Sequence, residues 1–165
     1  MGLRINKISK ENYYSLIINI GSILERGRQQ TYRVINEILV KTYWEIGKQI
    51  VEFEQEGEER AEYGSTLLDR LSKDLKLKYG KGFSKSNVYL MRLLYIKYPK
   101  FQTMSGKLSW SHYVELLGIE EDLERKFYEK QCILEGLSVR ELNRQINSAL
   151  FQRIALSKDK KGVLE

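Results

Sequence analysis

The chain has 165 residues, 42% of them apolar and 30% charged, with 28 Lys/Arg against 22 Asp/Glu for a formal net charge of +6. That length supports one domain with a sizeable core and is too short for two. Its single cysteine, Cys132, excludes an internal disulfide, and with His112 as the sole histidine no His/Cys zinc site can be assembled, so a reducing cytoplasm and no cofactor are expected.

Pro99 is the one proline, and the abundance of Glu, Lys, Leu, Arg and Ile suits helices, so the expected class is all-α, with about six to seven helices. The longest apolar stretch, Leu16 to Leu24, is interrupted by Asn19, Gly21 and Ser22. It falls well short of the roughly 20 residues that a membrane span requires. No signal peptide or myristoylation pattern is visible at the start of the chain, and no membrane partner is expected.

From Ser9 to about Glu56, apolar residues recur at helical spacing, which predicts two long helices breaking near Gly27. The glutamate-rich segment Glu52 to Glu62 predicts an exposed loop, whose acidity would repel DNA or meet a basic partner. Leu67, Leu68, Leu71, Leu75 and Leu77 predict a third helix from about Ser65 to Tyr79, ended by Gly80. After the turn Lys81-Gly82-Phe83, Ser84 is a good N-cap for a fourth helix that ends near Pro99, with Asn87 completing the local capping. Helix, glycine turn, helix is the helix-turn-helix pattern, although two packed helices give the same pattern without DNA. Ser109 or Ser111 then starts a short helix through Leu117. A further helix runs from about Glu120 to Glu135, broken by Gly136. Ser138 and Glu141 form the capping box of a last helix carried by Val139, Leu142, Ile146 and Leu150.

Charge is concentrated around the glycine turn. Ten of the 28 Lys/Arg residues lie from Arg70 to Lys107, against one acid, Asp74, so the rest of the chain is net acidic. On a helical wheel, Val88, Met91, Leu94, Tyr95 and Tyr98 form the inward side of the fourth helix, and Asn87 also points inward. Lys85, Ser86, Tyr89, Arg92, Ile96 and Lys97 form the outward side. Lysine and arginine displace counterions from phosphates, and residues near the start of a recognition helix reach base edges. The candidate nucleic-acid-binding residues are therefore Lys85, Ser86, Tyr89 and Arg92. Lys97 follows on the same face, and Lys78 and Lys81 precede it with Arg70, Lys73 and Lys76. A weaker second set is Arg140 and Arg144, with Asn147, on the last helix.

Catalytic constellations are missing from the sequence. His112 would have to serve alone as the base of any Ser or Cys nucleophile, and no phosphate-cradling glycine loop occurs. Three D/E-x-K triplets, at Asp74, Glu124 and Asp159, fall in predicted helices or the tail, as expected by chance in so charged a chain. No enzyme activity is expected of this polypeptide.

Five separated motifs add a further indication: Tyr43-Trp44-Glu45-Ile46-Gly47-Lys48, Arg60-Ala61-Glu62-Tyr63-Gly64, Gly82-Phe83-Ser84 with Asn87 and Met91, Leu108 to Tyr113, and Ser138 to Leu142. In this order they resemble the N-terminal domain of the YhcG family of bacterial PD-(D/E)xK nuclease proteins, from about Tyr14 to Ser157. The resemblance implies an all-helical, helix-turn-helix-like domain over residues 1–156. Residues 157–165 would then be a linker-like tail toward a separate C-terminal nuclease domain acting in cis. The sequence at hand ends at Glu165, before such a domain, so no catalytic residue is carried over. The expected partner is double-stranded DNA. The alternative is a protein-interaction module in which the N-terminal helices pair in a homodimer.

Overall fold

The computed structural model describes residues 10–55 and 64–157, and every regular element among them is helical. Helix α1 spans Lys10–Gln55, α2 Gly64–Tyr79, α3 Lys85–Lys97, α4 Trp110–Leu117, α5 Asp122–Glu135, α6 Val139–Asn147 and α7 Leu150–Ser157. Single 3₁₀ turns, Lys81–Phe83 and Phe101–Thr103, flank α3. Most of the predicted acidic loop and of the tail lie outside the described residues; Glu52 to Gln55 belong to α1.

Two expected boundaries are corrected. The break near Gly27 does not occur, and α1 runs through it for 46 residues. A mid-helix glycine costs only about 1 kcal/mol relative to alanine, and without a proline or a cluster of turn formers nothing stops the hydrogen-bond ladder. The Thr31 hydroxyl donates back to the Gly27 carbonyl at 2.9 Å, a bond that bends a helix more readily than it ends one. Conversely, the predicted last helix is two helices, because Ala149 adopts a left-handed φ of 52°. The cause is a residue of α5. The Tyr128 hydroxyl accepts a hydrogen bond from the Phe151 N–H at 3.1 Å and donates to the Gln145 carbonyl at 3.3 Å. That one buried hydroxyl satisfies a donor and an acceptor on either side of the break, and Phe151 turns into the core.

The main core lies where α1, α3, α4, α5, α6 and α7 meet, around fully buried Leu94, Tyr113, Leu116, Tyr128 and Leu142. A smaller cluster of Ile50, Leu68 and Val88 joins α1, α2 and α3. The α1/α3 crossing is the most extensive contact between elements. It is possible because position 47 is glycine: a Cβ there would sit 1.9 Å from the Met91 carbonyl oxygen of α3. Beside this crossing, Trp44 donates its indole N–H to the Tyr98 carbonyl at 2.6 Å and packs edge-on against Tyr95.

Caps match their sequence signals. Ser84 accepts from the Asn87 N–H, Gly136 ends α5 in the left-handed conformation, and the Ser138/Glu141 capping box forms. A second capping box, Ser109/His112, opens α4. His112 Nε2 lies 2.9 Å from the Leu137 carbonyl, which only an N–H can satisfy, so Nδ1 is left to accept from the Ser109 N–H at 3.2 Å.

Buried polar groups gather at one end of α5. Arg125, 5% exposed, donates to the Ile119 carbonyl, pairs with Asp122 and stands 5.7 Å from the centre of the Tyr98 ring. Tyr98 donates its hydroxyl to Glu129 at 3.2 Å. Burial raises the Glu129 carboxyl above its ordinary value, opposed by the Tyr98 hydrogen bond and by Arg125.

Three outcomes follow. Gly47→Ala should cost about 2 kcal/mol or more in urea denaturation, because the added methyl meets rigid backbone on both sides and overpacking outweighs the gain in helix propensity. Ala149→Gly should stabilise the protein by about 0.5–1 kcal/mol in the same assay, by relieving a left-handed alanine. A raised folded-state pKa means that the Glu129 carboxyl contributes stability at low pH and loses that contribution as pH rises through the folded value. Glu129→Gln should therefore gain stability relative to the parent as pH rises above the ordinary carboxyl range, read from urea midpoints across a pH series.

Candidate nucleic-acid interface

The segment from α2 through the turn to α3 is held by interlocking short-range bonds. Gly80, at φ 99°, ends α2 by donating its N–H to the Lys76 carbonyl at 3.0 Å. The 3₁₀ turn that follows is tied back to α2 by the Ser72 hydroxyl, which donates to the Phe83 carbonyl at 3.1 Å. Asn87 fixes the other side: its amide N–H donates to the Gly82 carbonyl, and its Oδ1 accepts the Trp110 indole N–H at 3.1 Å. It is thus a structural bridge from turn to α4, in keeping with its inward position on the wheel.

On α3, Val88, Met91 and Leu94 are buried, and Lys85, Ser86, Tyr89 and Ile96 are exposed. The outward face is nevertheless less positive than its composition. Lys85 Nζ lies 2.8 Å from Asp69 of α2, with 59% of its side chain still exposed. Arg92 turns back onto α1, where its Nε–H reaches both Glu54 carboxylate oxygens at 2.7 and 3.0 Å. Glu54 is 12% exposed in its side chain and Arg92 29%, so this pair belongs to the scaffold. Lys85, Ser86, Tyr89 and Arg92 do come together, around a shallow cleft of about 580 Å³ that also includes Glu54.

Lys97 leaves that face altogether. Its ammonium donates to the carbonyls of Leu117 and Ile119 at 2.8 and 2.7 Å, capping the end of α4. Burial, and then Arg125, lower its pKa.

The residues before the turn are more open. Arg70, Lys73, Lys76, Lys78 and Lys81 are all exposed on α2 and the turn, and Lys78 stands 5.4 Å from the centre of the Tyr79 ring, itself exposed. Arg140 and Arg144 are exposed one turn apart on α6, a different helix, and Asn147 bonds to Asn143.

Sequence reasoning missed a second cleft, of about 500 Å³, between the end of α3 and α5. Lys100, Lys126 and Lys130 line it beside Lys97 and Arg125, together with Asp122 and Glu129. The signal available was the i, i+4 spacing of Lys126 and Lys130; what brings Lys97 and Lys100 to them is the fold. Lys126 also pairs with Asp122 at 2.5 Å, so the cleft is a network of opposite charges.

Among the described residues, no three His, Cys, Asp or Glu side chains converge as metal ligands, and no helix is long and apolar enough to cross a membrane.

Residues 19–153 match the family described as the DUF1016 N-terminal domain. The chain is also 38% identical over 185 aligned residues to the protein named "Putative nuclease YhcG" of Escherichia coli (strain K12). That alignment covers 93% of this chain and 49% of the relative, so the chain spans about half the relative's length and corresponds to its N-terminal part. No solved structure matches the fold. With a family match over most of its length and an all-helical fold, the chain belongs to the DUF1016 N-terminal domain family.

Proposed function

We propose that this domain is a non-catalytic module that binds double-stranded DNA, and that in longer family members it positions or regulates a nuclease domain in cis. One observation carries the reading: five exposed cations, Arg70, Lys73, Lys76, Lys78 and Lys81, crowd α2 and the turn, and Lys85, Ser86 and exposed Tyr89 follow at the start of α3. In helix-turn-helix proteins the first helix lies against the phosphate backbone and the start of the second enters the major groove. Cations on α2 suit the first role, and a hydroxyl, a phenol and a partly exposed lysine suit the second. The relative's name as a nuclease supports a nucleic-acid substrate for the longer protein.

The distribution also divides the labour. Phosphate contacts would come from α2 and the turn, whereas Arg92, held on Glu54, would keep α3 docked on α1.

Fluorescence anisotropy on random duplex DNA across a salt series tests this. Lys76→Ala and Lys78→Ala together should flatten the plot of log affinity against log salt by up to about 0.9 per lost phosphate contact, and Lys85→Ala should weaken binding further. Arg92→Ala should lower the melting temperature while leaving that slope unchanged. Absence of binding at about 50 mM salt, or a slope that ignores the α2 lysines, would sink the proposal.

A further inference from the structure

Among the described residues, no other helix packs on the N-terminal half of α1. Every residue from Glu11 to Ile35 is exposed, yet the stretch is rich in large apolar side chains. From Tyr13 to Ile38 the helix is about 38 Å long at 1.5 Å per residue. It contains two glycines, Gly21 and Gly27, neither of which has another atom within 4 Å of its Cβ position. Helices of this kind owe their stability in water mainly to the packing of an apolar face, which here has no partner among the described residues.

The apolar residues are ordered. Tyr13, Ile17, Ile20, Leu24, Val34 and Ile38 follow the alternating four- and three-residue spacing of a coiled-coil seam, and Gly27 and Thr31 occupy the two intervening positions. All six apolar residues are 47% to 60% exposed. Leu16 and Ile23 widen the seam on one side. A repeat of 3.5 residues sustained over more than three heptads fits another helix carrying the same repeat, and it fits neither a strand nor a small molecule.

We propose that the arm formed by residues 13–38 of α1 pairs with the same arm of a second copy, making the domain a homodimer. Counting Leu16, Ile23, Tyr14 and Ile35 with the six seam residues, burying their exposed surface would hide on the order of 800 Å² per chain, the area of a standard specific interface. The charges on this arm, Glu25, Arg26, Arg28, Arg33 and Glu37, are of both signs and nearly balance, leaving +1 per arm, so two identical arms meet with little like-charge repulsion. The core begins at Val40, beyond the seam, so pairing leaves the α1/α3 crossing and the face of α2 untouched. The inference therefore stands whether or not DNA is bound.

Sedimentation equilibrium on the 165-residue chain, from about 1 to 100 µM, should give twice the 19.5 kDa chain mass at the upper end. Ile20→Glu should raise the dissociation constant at least about 100-fold, and Gly27→Leu, which fills a seam position, should lower it about tenfold. Ile18→Glu, off the seam, should leave the dimer intact. Near-ultraviolet circular dichroism of Trp44 and Trp110, in the distant core, checks that each variant keeps its fold. A chain that remains a monomer at 100 µM overturns the proposal. So does a dimer indifferent to Ile20→Glu, or one equally sensitive to Ile18→Glu.

Discussion

The approach of two backbones at Gly47 and Met91 is the constraint on which the rest of the structure depends. Only a residue without a Cβ lets α1 come this close to α3. Once it does, Trp44 reaches the Tyr98 carbonyl, Arg92 reaches Glu54, and Val88 meets Ile50 and Leu68. Helix α3 is thereby pinned along α1, leaving Lys85, Ser86 and Tyr89 on its outer side. The orientation of the candidate interface is thus a consequence of packing at a glycine well inside the domain.

Several residues of the motifs that carried the resemblance form a chain of hydrogen bonds around the same helix, whereas most of the Arg60 to Gly64 motif lies outside the described residues. Gly82, Asn87 and Trp110 link turn to α3 to α4, and His112 links α4 to the segment before α6. The partly buried Trp110 and His112 bonds satisfy polar groups that packing would otherwise cut off from water, while the exposed Asn87 to Gly82 bond fixes the turn. These residues therefore bear on fold, and the candidate contacts with DNA fall on neighbours such as Lys76, Lys78 and Lys85.

Charge illustrates why a site is harder to read than a fold. The basic window from Arg70 to Lys107 is present in the sequence, but three of its cations have interior or cross-helix duties: Arg92 on Glu54, Lys97 on two carbonyls of the α4 end, Lys85 on Asp69. Glu54 lies 38 residues from Arg92 and outside the window, so local composition overstates the free charge on α3. On α2 and the turn, where the lysines face solvent, composition and surface agree. The cleft beside Glu129 combines residues about 30 positions apart and had no local signature.

Local chemistry was sufficient for the helical class, for the ends of α2 through α5 and the start of α6, and for the caps at Ser84, Gly136 and Ser138, because apolar periodicity and capping are decided within a few residues, while the choice of Ser109 over Ser111 at the start of α4 came from the structure. The five spaced motifs were sufficient for the family. Tertiary structure alone decided that α1 continues through Gly27, since a glycine weakens a helix without ending it. It alone decided that the chain breaks at Ala149, because the Tyr128 hydroxyl arrives from α5. It also decided which cations remain at the surface, because a charge is neutralised by whatever the fold places beside it.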